Sequence, residues 1–188
     1  MKKESSLKAQ WKAETDFFES LSKKYTYVKW AKGGISISDC PIGWRPIVND
    51  MFAELNYLAS HGVDYFDKGW VKIVTDKLNA IFDKLRLPNK LRFRRRFAKH
   101  RAEKPEIVID QIKEKFADLR VYYSCNHERA QNRIRGIVSL AERICSRTCQ
   151  ISGQPGKLRT DKWYVVLSDK KYEKLKKKKN EKLQKKNS

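Results

Sequence analysis

The sequence predicts a small α+β fold, helices with two or three short hairpins and a basic helical insertion. Three observations lead there. Apolar residues recur at helical spacing in separated stretches, β-branched and aromatic runs flank a tight turn between 106 and 124, and the positive charge gathers in two segments rather than along the whole chain. At 188 residues there is room for one domain with a real core. We place that single α+β domain at 1–168, with a lysine-rich flexible tail over 169–188.

In chain order, residues 5–24 form an amphipathic helix with Leu7, Trp11, Phe18, Leu21 and Tyr25 on one stripe, and Ser5 or Ser6 available as its cap. That stripe is expected to be core. Tyr25 to Trp30 alternates in strand fashion, Lys32-Gly33-Gly34 supplies a turn and Ile35 to Ser38 returns, which predicts a first β-hairpin. Pro46 suits the first turn of a second helix carrying Ile47, Val48, Met51, Phe52, Leu55 and Leu58, with Gly62 as its stop. The Trp44 ring is expected to seat that helix on the hairpin.

Trp70, Val71, Val74, Leu78, Ile81, Phe82 and Leu85 mark another helical face, ended by Pro88. A strongly basic helix over 89–102 is expected next, and residues 63–104 together are the helical insertion. Residues 106–113 and 118–124 favour a second hairpin, with a helix over Gln111 to Phe116 as the competing reading. Residues 128–147 carry Ile134, Ile137, Val138, Ala141 and Ile144 at helical spacing. After Asp169, only Tyr172, Leu175 and Leu183 stand among the lysines. Such a segment buries too little apolar surface to offset its ordering entropy, which predicts disorder or a lone frayed helix.

Several of these stretches carry motifs as well as periodicity. Ile42-Gly43-Trp44 with Ile47 and Val48 comes first. Ile109-Asp110-Gln111-Ile112-Lys113-Glu114-Lys115-Phe116-Ala117-Asp118-Leu119-Arg120-Val121-Tyr122-Tyr123 follows, then Ala141-Glu142, Ser146, Cys149, Gly153, Pro155-Gly156 and Leu158-Arg159. In this combination and order the chain resembles a family of mostly uncharacterised small proteins of bacterial and phage genomes, over roughly residues 40–60 and 107–171. The resemblance brings no known activity. It implies a zinc-ribbon-like hairpin over 149–171 with ligands at 149, 152, 168 and 171. This chain has Cys149, Ser152, Ser168 and Lys171 there, and Ala117 where the family has a turn glycine. Neutral serine is a poor zinc ligand and one thiolate cannot close a tetrahedral site. The expectation is a degenerate, metal-free remnant held by packing, with Leu158 and Trp163 filling the place of the metal and Gly153, Pro155 and Gly156 shaping the turn.

The remaining thiols and imidazoles offer an alternative metal site, Cys125 with His127 and Cys145 with Cys149, whose spacing matches no familiar zinc arrangement. Lone buried cysteines are the plainer account. Four cysteines are too sparse for a disulfide scaffold, and reduced thiols in a cytoplasmic protein are expected. Catalysis has little to stand on: His61, His100 and His127 are scattered, and neither a glycine-rich phosphate loop nor a Gly-x-Ser-x-Gly elbow occurs. We therefore expect no catalytic residues and no cofactor. Lys113, Glu114, Lys115 and Arg120 are expected to form an ion-pair network across the second hairpin.

Charge carries the functional expectation. Of a formal +21, residues 84–104 supply +9 and residues 169–188 supply +7. Arg92, Arg94, Arg95, Arg96, Lys99 and Arg101, interleaved with Leu91, Phe93 and Phe97, suit bidentate pairing with phosphates, and the run costs self-repulsion without structural gain. Lys176, Lys177, Lys178 and Lys179 add point charges without sequence readout. The expected partner is DNA or RNA through its backbone, for a non-enzymatic accessory protein of phage or mobile-element origin. The alternative is an inhibitor or adaptor that docks on an acidic host or defence protein. No stretch has the length of a membrane span, so no membrane partner is expected.

Overall fold

The computed structural model describes residues 2–63, 104–161 and 163–187. Among them are helices α1 (Lys2–Lys24) and α2 (Arg45–His61), the latter preceded by a turn of 3-10 helix (Ile42–Trp44). A three-stranded sheet comprises β1 (Val28–Trp30), β2 (Ile107–Lys115) and β3 (Asp118–Cys125). Helix α3 (Glu128–Cys145), a two-stranded hairpin of β4 (Lys157–Arg159) and β5 (Val165–Leu167), and helix α4 (Asp169–Asn187) complete a small α+β fold. The expected helices over 70–85 and 89–102 lie outside the described residues.

β2 holds the fold together because it is the central strand, parallel to β1 and antiparallel to β3. Its sequence would turn Ile112 away from the face that Ile107 and Ile109 occupy, since side chains alternate along a strand. The register shift between Ile109 and Gln111 absorbs the extra residue, and all three isoleucines are fully buried. β3 shows the opposite side of the same arithmetic: Leu119, Val121, Tyr123 and Cys125 face the core while Arg120, Tyr122 and Ser124 face solvent. The β2–β3 turn uses Phe116 and Ala117, both at positive φ (54° and 66°), the geometry of a two-residue type I′ connection. Glu114 Oε1 accepts from Ala117 N at 2.6 Å and so holds this costly turn without the glycine.

The first expected hairpin does not form. β1 pairs instead with β2, Val28 opposite Ile107 and Trp30 opposite Ile109. Residues 33–38 coil through successive turns, with Ser38 Oγ donating to Gly34 O at 2.6 Å. This coil then runs along β2, where Ser38 Oγ accepts from Ile112 N, Asp39 N donates to Ile112 O and Asp39 Oδ1 accepts from Glu114 N. The edge of β2 that β1 is too short to cover is thereby satisfied by side chains and loop backbone. Gly34 lies so close to Asp110 O that a Cβ would sit 2.7 Å from it.

The helices cover one face of the sheet. α2 follows the expected pattern, with Val48, Met51, Phe52, Leu55 and Leu58 buried and Pro46 in its first turn. Gly62, at φ 82°, closes it with a hydrogen bond to Leu58 O. Phe52 stacks on Trp30 and Trp30 meets the edge of Phe18, tying α2, β1 and α1 into one aromatic cluster. Of the α1 stripe only Phe18 and Leu21, with Tyr25 just beyond, enter the core. Trp11 is 75% exposed, because the helix runs on past the elements it packs against, and Leu7 lies outside the residues whose side chains are described. α3 buries Ile134, Val138, Ala141 and Cys145 and leaves Ile144 exposed.

Trp44 also lands elsewhere than expected. Fully buried, its indole Nε1 donates to Thr148 O at 2.7 Å, so it joins α2 to the chain after α3 rather than to residues 25–38. Its neighbour Gly43 donates to Gln150 O at 2.8 Å. A Cβ on Gly43 would stand 2.1 Å from Cys149 O and 2.6 Å from Gly153 N, so the backbones of the Gly-Trp and the 149–153 segments touch directly.

Candidate nucleic-acid interface

Beyond α3 the chain forms a tight turn around Cys149. Cys149 N donates to Gln154 O at 2.7 Å, Gly153 N donates to Cys149 O at 2.9 Å, and Gly153 adopts φ 69°. Gln150 N binds Val166 O and Gly156 N binds Arg147 O, so the turn is bonded to β5 on one side and to the end of α3 on the other. The Cys149 sulfur, fully covered, sits beneath this turn. Burial pushes its thiol up, but the nearby Ser152 hydroxyl and the N–H groups of Ser168, Ser152 and Ile151 outweigh burial. The thiol is lowered from the usual 9.0 to about 7. Ser152 Oγ is buried and makes no hydrogen bond of ordinary geometry, so its hydroxyl acts on the sulfur by proximity.

Positions 149, 152 and 168 therefore converge, and Lys171 N approaches Ser168 Oγ at 3.4 Å. The residues present do not suit the zinc that the family resemblance implies. One sulfur faces hydroxyl and amide donors, which stabilise a thiolate as a metal cation would but offer no further ligand. Among the described residues, His, Cys, Asp and Glu side chains nowhere converge in a group of three or more.

The alternative quartet is spread along the molecule. Cys125 and His127 flank the start of α3, where His127 Nδ1 accepts from Ala130 N at 3.2 Å as the helix cap. Cys145 ends the same 18-residue helix, about 27 Å away at 1.5 Å per residue. Cys145 is fully buried with its thiol pushed up to about 12, mainly by desolvation. Cys40, buried near it, is raised further for the same first reason. Both behave as small hydrophobes. The expected ion-pair network on the second hairpin is also replaced: Glu114 serves the turn amide, Lys113 Nζ donates to Gln111 Oε1, and Arg120 pairs with Asp118 at 3.0 Å.

Of the basic residues singled out in the sequence, Arg92, Arg94, Arg95, Arg96, Lys99 and Arg101 lie outside the described residues. Lys176, Lys177, Lys178 and Lys179 are exposed on α4, so the segment expected to be flexible or a lone helix is helical from Asp169 to Asn187 and docked at its start. The docking is polar and aromatic rather than apolar. Asp169 accepts from Arg159 and Lys157, the Arg159 guanidinium lies 4.4 Å over the Tyr172 ring, and Tyr172 donates to Asp161. Those two cations hold the Asp169 carboxyl below the usual carboxylate range, and the bond to Asp161 raises the Tyr172 phenol. Leu183 lies outside the residues whose side chains are described.

Leu158 and Trp163, expected to pack beside Cys149 in place of a metal, are not buried there. Both are exposed, Trp163 by 81%. Valine and leucine of β5 close the hairpin instead, with Val166 and Leu167 buried. Trp163 borders an open groove of 310 Å³ between the hairpin and α4, lined also by Arg159, Tyr172, Leu175, Lys176 and Lys179. Its residue types are visible in the sequence, but their convergence depends on α4 turning back onto β4 and β5. Among the described residues no helix is long and apolar enough to cross a membrane. Comparison with protein-family models, curated proteins and solved structures finds no match, so the functional reading rests on this chain's own residues.

Proposed function

We propose that the protein is a non-enzymatic nucleic-acid-associated accessory protein, in the phage or mobile-element setting that its resemblance implies, and that it holds DNA or RNA through the phosphate backbone. One observation carries the reading: α4 projects Lys176, Lys177, Lys178 and Lys179 in consecutive exposed positions. Successive helical residues turn by about 100°, so four in a row spread ammonium groups around the helix instead of forming an apolar face for packing. Ten lysines against three acids over 169–188 leave such a helix repelled by the rest of a +21 chain, and a polyanion relieves that repulsion. The arginines from Arg92 to Arg101 add the guanidinium forks suited to phosphate pairing.

The test is binding of duplex DNA, single-stranded DNA and RNA across a salt series, with the full chain and two variants, Arg94, Arg95 and Arg96→Ala, and Lys176 to Lys179→Gln. For every phosphate that a variant no longer neutralises, the slope of log K against log salt should flatten by roughly 0.7–0.9. Salt-independent binding, or slopes that neither variant changes, would exclude the reading. A second reading, an inhibitor or adaptor that docks on another protein, is favoured by an open, mainly apolar groove of 760 Å³ between α2 and α3, bordered by Tyr57, Leu140 and Ile144. A stoichiometric protein partner that survives nuclease treatment, and is lost on Leu140→Asp, would support it.

A further inference from the structure

We infer that the groove between the β4–β5 hairpin and α4 is a binding site for an unpaired nucleotide of single-stranded nucleic acid, with Trp163 as the base-stacking surface and Arg159, Lys176 and Lys179 beside the phosphates. This inference rests on the nucleic-acid reading above and goes beyond it by choosing single strands over duplexes.

The groove combines two properties that a packing seam does not need. The first is an unused aromatic face. Trp163 is 81% exposed at the lip, and an indole left in water forgoes the gain of burial that its size offers. The chain neighbour Tyr164 is exposed as well and meets the exposed Phe116 edge-on at 6.1 Å, so aromatic surface continues past the groove. Lys115 Nζ lies 5.5 Å over the Phe116 ring.

The second property is a surplus of cationic donors. Arg159 lies on one side of the Tyr172 ring at 4.4 Å and Lys176 Nζ stands 5.9 Å from the same ring. Arg159 bonds Asp169 through one terminal nitrogen, while its Nε–H is buried without an acceptor. A buried donor of this kind costs free energy until an oxygen reaches it. The acid lining the groove, Asp161, accepts from the Tyr172 hydroxyl. Arg159, Lys176 and Lys179 outnumber that one carboxylate in the lining, so the net character of the groove is positive, which suits phosphate oxygens.

Duplex DNA offers its phosphates but keeps its base faces inside the stack, so it engages the lysines and leaves Trp163 idle. Single strands present both, and stacking tolerates every base. At 310 Å³ the groove falls at the small end of ligand sites, sized for one nucleoside-scale group rather than a helix.

The experiment measures anisotropy of a labelled 12-nucleotide oligo(dT), an oligo(rU) and a 12-base-pair duplex at several salt concentrations. The proteins are the full wild-type chain, Trp163→Ala, Trp163→Phe, and Lys176→Gln with Lys179→Gln. Removing the indole should weaken single-strand binding by about 5- to 150-fold with an unchanged salt slope and an unchanged duplex affinity, and Trp163→Phe should restore most of it. The lysine pair should weaken both ligands and flatten both slopes. Because Trp163 is exposed, its variants keep the fold, which circular dichroism verifies. Equal single-strand affinity in wild type and Trp163→Ala, or an equal loss for duplex, overturns the groove assignment while leaving backbone binding intact. A wild-type chain that binds neither ligand overturns the nucleic-acid reading itself.

Discussion

Substituting Gly43 with alanine tests whether the Gly-Trp segment and the Cys149 turn really form one joint. The added Cβ would lie 2.1 Å from Cys149 O, 2.6 Å from Gly153 N and 2.9 Å from Gln150 C. All three are backbone atoms, so no side-chain rotation relieves the clash. Restoring a tolerable contact requires the two segments to part by about 1 Å, because Cβ atoms essentially never approach a neighbour within 3.0 Å. That movement breaks Gly43 N to Gln150 O (2.8 Å) and Trp44 Nε1 to Thr148 O (2.7 Å), which sit where water does not easily replace them. At about 1–3 kcal/mol for each of the two bonds lost, the loss is about 2–6 kcal/mol in total. For a chain of this size that lowers Tm by roughly 4–24 °C. Thermal and urea unfolding followed by circular dichroism measure it, with Gly136→Ala as the control. Gly136 is in the middle of α3, and a methyl group there would meet nothing within 4 Å, so alanine should stabilise by up to about 1 kcal/mol. A Gly43→Ala protein that melts within about 2 °C of wild type would refute the joint, since that corresponds to no more than about 1 kcal/mol.

Three further outcomes are expected. The Cys149 thiol is lowered from 9.0 to about 7, so its stabilising contribution is full above the unfolded value and is lost as pH falls through 7. Wild type should gain up to about 3 kcal/mol relative to Cys149→Ser between pH 7 and pH 9, and a thiolate absorbance step near pH 7 should vanish in the variant. A pH-independent difference between the two would remove the donor turn as its cause. The triple variant Ser152→Cys, Ser168→Cys and Lys171→His should bind one zinc per chain by metal analysis, as convergence of 149, 152 and 168, with 171 one turn beyond 168, predicts; stoichiometric zinc on the purified wild type would contradict the lost-ligand reading. Phe116→Asn should raise stability by about 0.5–1 kcal/mol in urea unfolding, because asparagine accepts positive φ where phenylalanine is strained.

Helices α2 and α3 are legible in the sequence because their apolar spacing, Pro46 and Gly62 are local signals. The β2–β3 hairpin is legible for the same reason, its two halves being neighbours in sequence. What local pattern cannot carry is partnership at a distance. Val28 to Trp30 has the composition of a strand, but its partner begins at Ile107, and the run at 35–38 offers itself as a nearer mate. Trp44 and Thr148 are 104 residues apart. The site departs from expectation in a related way. The rule that large apolar residues lie inside puts Trp163 and Leu158 in a core that Val166 and Leu167 already fill. The depressed Cys149 thiol has one sequence signal, a cysteine opening a glycine- and proline-rich turn, but its donors come partly from Ser168, beyond the hairpin.

The parallel pairing of β1 with β2 has a consequence for how this chain can vary. Lys29 and Glu106 pair at 2.6 Å although 77 residues apart, so the sheet closes around whatever chain joins α2 to β2. The entropy of closing such a loop grows only logarithmically, about 0.6 kcal/mol for each doubling of its length. Pairing β1 with β2 is therefore tolerant of added length between α2 and β2: each doubling costs the sheet's closure less than one lost hydrogen bond.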